Sequence, residues 1–235
     1  TPPAAALPAV PGNPVAPAPV QPAAPAQPPA AAPGQGVPAP TTAAPQPPAA
    51  TPAPPKPTYT AVAGPSCSNS TTGFLGKDAD YTLGTAGWLK SSTGGYSGDG
   101  CQAGYVSEPM SGNATSYDTS QGALWHFDFG ASFKAASCRL SVYVPNSTDL
   151  THVGGNPTHY YLFGQDYEYG MALTPLGQFD VSQVSNRGKW VDQGPFSVTT
   201  GQVTLKMVNT GIDYTSATSH AHHAASAVRL SCTAA

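Results

Sequence analysis

Charge is scarce in this sequence. Only 9% of the residues are Asp, Glu, Lys or Arg, and the formal net charge is −3. Beyond residue 57 the cations Lys77, Lys90, Lys134, Arg139, Arg187, Lys189, Lys206 and Arg229 are dispersed. No basic stripe exists to neutralise phosphates, which argues against nucleic acid as a partner. No apolar run is long enough to cross a bilayer, so the chain is not expected to span a membrane. CxxC, HExxH and GxSxG are all missing, as is a glycine loop built to cradle phosphate. Leu, Lys and Glu are sparse and no stretch keeps a 3.6-residue apolar period, which excludes an architecture of long helices.

The scarcity is sharpest at the start. Residues 1–57 hold one charged side chain, Lys56, no aromatic and no cysteine, yet they contain 21 of the 27 prolines. Such a segment buries too little apolar surface to offset its ordering entropy. Its prolines favour extended polyproline II, which at ~3.1 Å per residue reaches on the order of 150 Å. Residues 1–60 are therefore expected to be a disordered Ala/Pro-rich spacer, and 61–235 a single folded domain. The sequence opens on Thr1, which fits a mature secreted form or an excised ectodomain.

What is present in the folded part is Gly, Ser, Thr, Tyr and Asn, the composition of an extracellular all-β domain. Short segments of period-2 alternation are separated by turn residues. In ALWHFDFG (123–130), Trp125, Phe127 and Phe129 share one face. In CRLSVYVP (138–145), Cys138, Leu140, Val142 and Val144 point one way and Arg139, Ser141 and Tyr143 the other. THYYLFG (158–164), QVTLKMV (202–208) and AVRLSC (227–232) follow the same rule, and KWVDQGPFSV (189–198) reads as two short strands around a Gly-Pro turn. One apolar face per strand predicts two packed antiparallel sheets, a β-sandwich of the jelly-roll kind.

Four cysteines, Cys67, Cys101, Cys138 and Cys232, are even in number and suit two disulfides in an oxidising compartment. Cys138 opens a strand on its inward phase and Cys232 closes another. If those strands are antiparallel neighbours the bridge Cys138–Cys232 is favoured among three connectivities, which leaves Cys67 to Cys101.

Aromatics near turns are the leading candidates for ligand contact, because a sugar ring offers an apolar face to stack on. Trp88, Tyr96, Tyr105, Tyr161 and Tyr169 form that set, with Tyr160, Tyr167 and Tyr214 as further rings near turns. Affinity is then expected to come from stacking and not from charge. No cofactor is required. The weak ligand sets on offer are His220, His222 and His223 for zinc or copper, with His159 and Asp213 as additions, and the acid pairs Asp78/Asp80 and Asp166/Glu168 for calcium. A solvated histidine loop before the last strand is the competing reading of the first set. Neighbouring carboxylates rarely straddle a cleft as glycoside hydrolysis demands, so enzyme activity is not expected.

The segments SNRGKWVDQGPF (185–196), QVTLKMVNTG (202–211) and HHAASAVRLSC (222–232) resemble, in that order, the golvesin C-terminal-like domain. Gly188, Trp190, Val191 and Gly194 occupy its Gly-x-Trp-Val-x-x-Gly motif, and Ala227, Val228, Arg229 and Leu230 its closing motif. LSVYVP (140–145) and GWLKSSTGGYSGDG (87–100) resemble upstream parts of the pattern, so the likeness covers residues 67 to 232. It implies a jelly roll similar to carbohydrate-binding modules, non-catalytic, found on secreted polysaccharide-acting enzymes and bacterial surface proteins. Ser226 stands where the family commonly has Asp, and the four cysteines and the HAHH run depart from its pattern. With the stalk, whose composition is associated with actinobacterial envelopes, this leads to a tethered extracellular module for cell-wall or other polysaccharide, or the sensor half of a receptor such as a serine/threonine kinase. The alternatives are a structural or adhesive surface protein that contacts proteins, and a small secreted hydrolase.

Overall fold

The computed structural model describes residues 53–77, 86–213 and 220–235. The chain divides into Thr1–Thr51 and Pro52–Ala235, and the described strands all belong to the second unit. Most of the proline-rich segment, Asp78, Asp80 and Tyr214 lie outside the described residues.

The first strands are β1 (Thr58–Ala63), β2 (Thr72–Lys77), β3 (Leu89–Ser91), β4 (Ser97–Gly98), β5 (Cys101–Gln102), β6 (Tyr105–Pro109) and β7 (Gly122–Asp128). They are followed by β8 (Ala136–Tyr143), β9 (Thr158–Phe163), β10 (Gly177–Val181), β11 (Trp190–Val198), β12 (Gln202–Val208), β13 (His222–Ala225) and β14 (Val228–Ala234). A four-stranded sheet has the order β1-β14-β8-β11, and a five-stranded one β10-β9-β12-β7-β2. A three-stranded sheet β13-β6-β3 and the hairpin β4-β5 complete the set. Every pairing is antiparallel. The chain crosses between the two large sheets from β7 to β8, β8 to β9, β10 to β11 and β11 to β12, and the described residues contain no helix. The sandwich expected from alternation is the fold.

Its core collects the inward phases. Trp125, Phe127, Tyr160, Leu205 and Met207 from one sheet share a cluster with Leu140, Val142, Val228 and Leu230 from the other. Burial of each such side chain contributes about 2 to 3 kcal/mol. The Trp125 indole donates to the Ser226 carbonyl at 2.7 Å, so that interior position serves the core through its backbone. Cys138 and Cys232 are direct partners between β8 and β14 and form one disulfide; Cys67 and Cys101 form the other.

Three expectations change. Residues 190–198 make one strand, because pairing to β8 resumes at Phe196 after a register shift that absorbs Gly194 and Pro195 as a bulge. Pairing of β1 with β14 begins at Thr58, so residues 58–60 belong to the sheet and not to the spacer. The stretch before the last strand is β13, a fully buried edge of the three-stranded sheet, and not a solvated loop.

Candidate functional site

Alternation gives each large sheet an outer face, and that of the four-stranded sheet carries rings. Trp190 on β11 and Tyr143 on β8 are direct cross-strand partners with ring centroids 5.3 Å apart. Tyr96, just before β4, joins them at 4.8 Å from Trp190 and 5.5 Å from Tyr143. All three are partly exposed. Beneath them the Cys67–Cys101 disulfide packs with Val62 and Ala227.

Arg229 on β14 locks the cluster. Its guanidinium carbon lies 4.3 Å from the Trp190 ring and 5.6 Å from Tyr96. Asp99 accepts hydrogen bonds from Arg229 at 3.1 Å and from the Tyr96 hydroxyl at 2.8 Å. The Tyr96 hydroxyl, and after it Arg229, hold the Asp99 carboxyl below its ordinary value; the same bond to Asp99 pushes the Tyr96 phenol up. Gly98, at φ +139°, is needed here, since a Cβ would stand 2.8 Å from the Tyr96 oxygen. Farther along the face Ser141 donates to Asp192 at 2.6 Å and Thr60 to Ser231 at 3.3 Å. The result is a cluster of three rings tilted 57° to 67° to one another, continued by hydroxyls, with Arg229 against the Trp190 ring and Asp99 beside it. Partly exposed rings beside hydroxyls are able to contact the C–H face of a sugar and to hydrogen-bond its rim.

The other rings singled out in the sequence are placed differently. Trp88 is 0% exposed and Tyr105 4%, both within the main core, so neither offers a platform. Tyr160 and Tyr167 are buried as well. Tyr161 and Tyr169 are partly exposed, but they pack with Tyr167 over the outer face of the five-stranded sheet. There Lys206 donates to the Tyr167 hydroxyl at 3.1 Å and lies 5.1 to 5.4 Å from the rings of Tyr117, Tyr167 and Tyr169. These tyrosines enclose a cation of the chain itself. Tyr143 and Trp190 are not among the rings that proximity to turns selects, although strand alternation already puts Tyr143 outward.

The histidine set does not converge. Neighbours on β13 point to opposite faces. The His222 nitrogens meet the carbonyls of His220 at 2.6 Å and Gly87 at 2.7 Å, while His223 donates to the Thr210 carbonyl at 3.0 Å and accepts from the Thr158 hydroxyl at 2.8 Å. Burial pushes the His222 pKa down and that of His223 down to about 4, and every nitrogen of both rings already has a partner. His159 pairs with Asp180 at 2.6 Å and His126 with Asp166 at 2.9 Å. Among the described residues no group of three or more His, Cys, Asp or Glu could hold a metal ion.

No family model and no curated protein matches the chain. Among solved structures, adhesin domains of Lys-gingipain from Porphyromonas gingivalis align loosely. The K1 domain gives 10% identity and a TM-score of 0.36 over 75% of this chain and 99% of that one. The K2 domain gives 12% and 0.35 over 75% and 99%, and K3 gives 9% and 0.32 over 68% and 98%. Likenesses this loose assign neither ligand nor activity.

Proposed function

We propose that the chain is a non-catalytic extracellular module that binds polysaccharide on the outer face of its four-stranded sheet. The observation that carries this reading is the partly exposed cluster of Tyr96, Tyr143 and Trp190 on a sheet face that also presents hydroxyls. The golvesin-like motif residue Trp190 sits at its centre, and the two disulfides suit an oxidising compartment. The proline-rich segment then serves as a spacer between this face and whatever the chain is attached to.

Replacing Trp190 by Ala should weaken retention on insoluble polysaccharide by about 1 to 3 kcal/mol, the scale of a lost aromatic anchor. Tyr143→Ala should act in the same direction. Tyr161→Ala, on the other sheet, should bind as the parent does, and circular dichroism should show all three folded. Equal retention by the Trp190 and Tyr161 variants would sink the proposal. Protein contact is the second reading, favoured by a 480 Å³ cleft lined by Met110, Leu150, Val184 and Ile212, the last 47% exposed.

A further inference from the structure

Two arginines stand on the outer face of the four-stranded sheet, in different surroundings. Arg229 is neutralised by Asp99 and stacked on Trp190. Arg139 on β8 is exposed, and its side chain has no hydrogen bond or ion pair with the described residues. It borders a hollow of 400 Å³ whose other walls are Thr58, Thr60, Ser137, Ser231, Thr233 and Cys232. No carboxylate lines that hollow. Asp192, on the same face, is held by Ser141 and stands outside it.

A guanidinium among hydroxyls, with no acid in the hollow and no ion pair to the described residues, selects for an oxyanion. The planar fork gives two parallel N–H donors to a carboxylate or phosphate, and the hydroxyls donate to the remaining lone pairs. The chain as a whole is negative, so this attraction is a local feature of the face and not a long-range field. Register connects the hollow to the rings. Tyr143, Ser141 and Arg139 occupy successive outward positions of one strand, which puts Arg139 about 14 Å from Tyr143 at ~3.4 Å per residue. A glycan stacked on Trp190 and Tyr143 and running along β8 arrives at the hollow.

We infer that this face recognises an acidic polysaccharide, with sugar rings on Tyr96, Tyr143 and Trp190 and an oxyanion substituent on Arg139. The inference rests on the reading of the aromatic face as a glycan platform. It also qualifies the expectation that charge plays no part in binding, because the strand register isolates one cation that the linear sequence shows only as one of a dispersed set.

The test compares the full chain and its Arg139→Gln, Arg139→Lys and Trp190→Ala variants on polygalacturonate and on the same polymer with its carboxyls reduced to alcohols. The parent should bind polygalacturonate about tenfold more tightly than the reduced polymer, the scale of a charge-assisted pair of hydrogen bonds. Arg139→Gln should erase that preference while keeping affinity for the reduced polymer. Arg139→Lys should restore part of it, since a point charge lacks the fork. Trp190→Ala should weaken both. A phosphorylated mannan separates the two oxyanions: binding tighter than to polygalacturonate and lost in Arg139→Gln assigns phosphate, and weaker binding assigns carboxylate. Equal affinity of the parent for both forms of the uronate, with Arg139→Gln unchanged and Trp190→Ala weakened, overturns the anion subsite and leaves the platform standing. Retention of no polymer by any form overturns both.

Discussion

Replacing Cys138 and Cys232 together by Ser is expected to lower the unfolding free energy by about 4 to 5 kcal/mol, read as a fall in the denaturant midpoint with a steeper slope, since the unbridged denatured chain exposes more surface. The bridge closes a loop with a sequence separation of 94 residues and ties the two central strands of the four-stranded sheet. In the chain-entropy model the cost of breaking it comes mainly from the freedom returned to the unfolded chain. Both sulfurs are also deep in the core, with Cys138 1% and Cys232 3% exposed, so the hydroxyls would be left in apolar surroundings. Cys67–Cys101 has a separation of only 34 residues and should cost about 1 kcal/mol less. Its loss should reach binding as well, because this disulfide packs under Tyr96. A loss below ~1 kcal/mol for the Cys138–Cys232 pair would contradict the loop-closure account.

Stability should also fall as pH rises above the ordinary glutamate value because of Glu108. This residue of β6 is fully buried, and neither carboxyl oxygen has a hydrogen-bond partner among the described residues. Burial pushes its pKa well above the ordinary 4.5; the charge of Lys206 works against that shift and Asp118 adds to it. A raised folded-state pKa gives stability that is complete below the unfolded value and is lost as pH rises through the folded one. Directly across the sheet, His223 works in reverse. Its pKa falls from 6.5 to about 4, so its contribution is complete above 6.5 and lost as pH drops toward 4.

Each group has a slope of about 1.4 kcal/mol per pH unit while it titrates. Above pH 4.5 the fall due to Glu108 therefore opposes the rise due to His223, which ends at its ordinary value of 6.5, and the fall ends once pH has passed the raised pKa of Glu108. Glu108→Gln should remove the decline and expose the rise due to His223 across that same interval. Melting temperatures of both forms from pH 4 to 9 measure the difference, in which every other titrating group cancels. A parent curve that runs parallel to the variant over the whole range would show that Glu108 does not titrate differently on folding.

Much of this fold is legible in the sequence because its main signal is local. β12 coincides with the alternating segment 202–208, and β8 contains the inward set Cys138, Leu140 and Val142. Short strands without apolar alternation, such as β4 and β5, carry no such signal. β13 escapes a reading by pattern because its sequence, His-His-Ala-Ala, is polar at positions that the three-stranded sheet buries. What makes those histidines tolerable inside is a set of partners, Gly87, Thr158 and Thr210, that lie well away along the chain.

Residue order alone is enough for the all-β class and for the inward phase of the main strands, Cys138 and Cys232 included. Both follow from the two-residue period of an extended chain, which neighbouring residues carry on their own, whereas the adjacency of β8 and β14 that joins those cysteines is decided by the tertiary structure. What each outward ring packs against is settled at the tertiary level. Tyr143 and Tyr161 have equivalent strand phases and are both partly exposed, yet Tyr161 packs with the tyrosines around Lys206 while Tyr143 packs with Trp190 and Tyr96 beside Arg229. That difference is set by which segments fold across each sheet. It brings together residues as remote as Tyr96 and Arg229, or Tyr117 and Lys206, whose contact no local periodicity encodes.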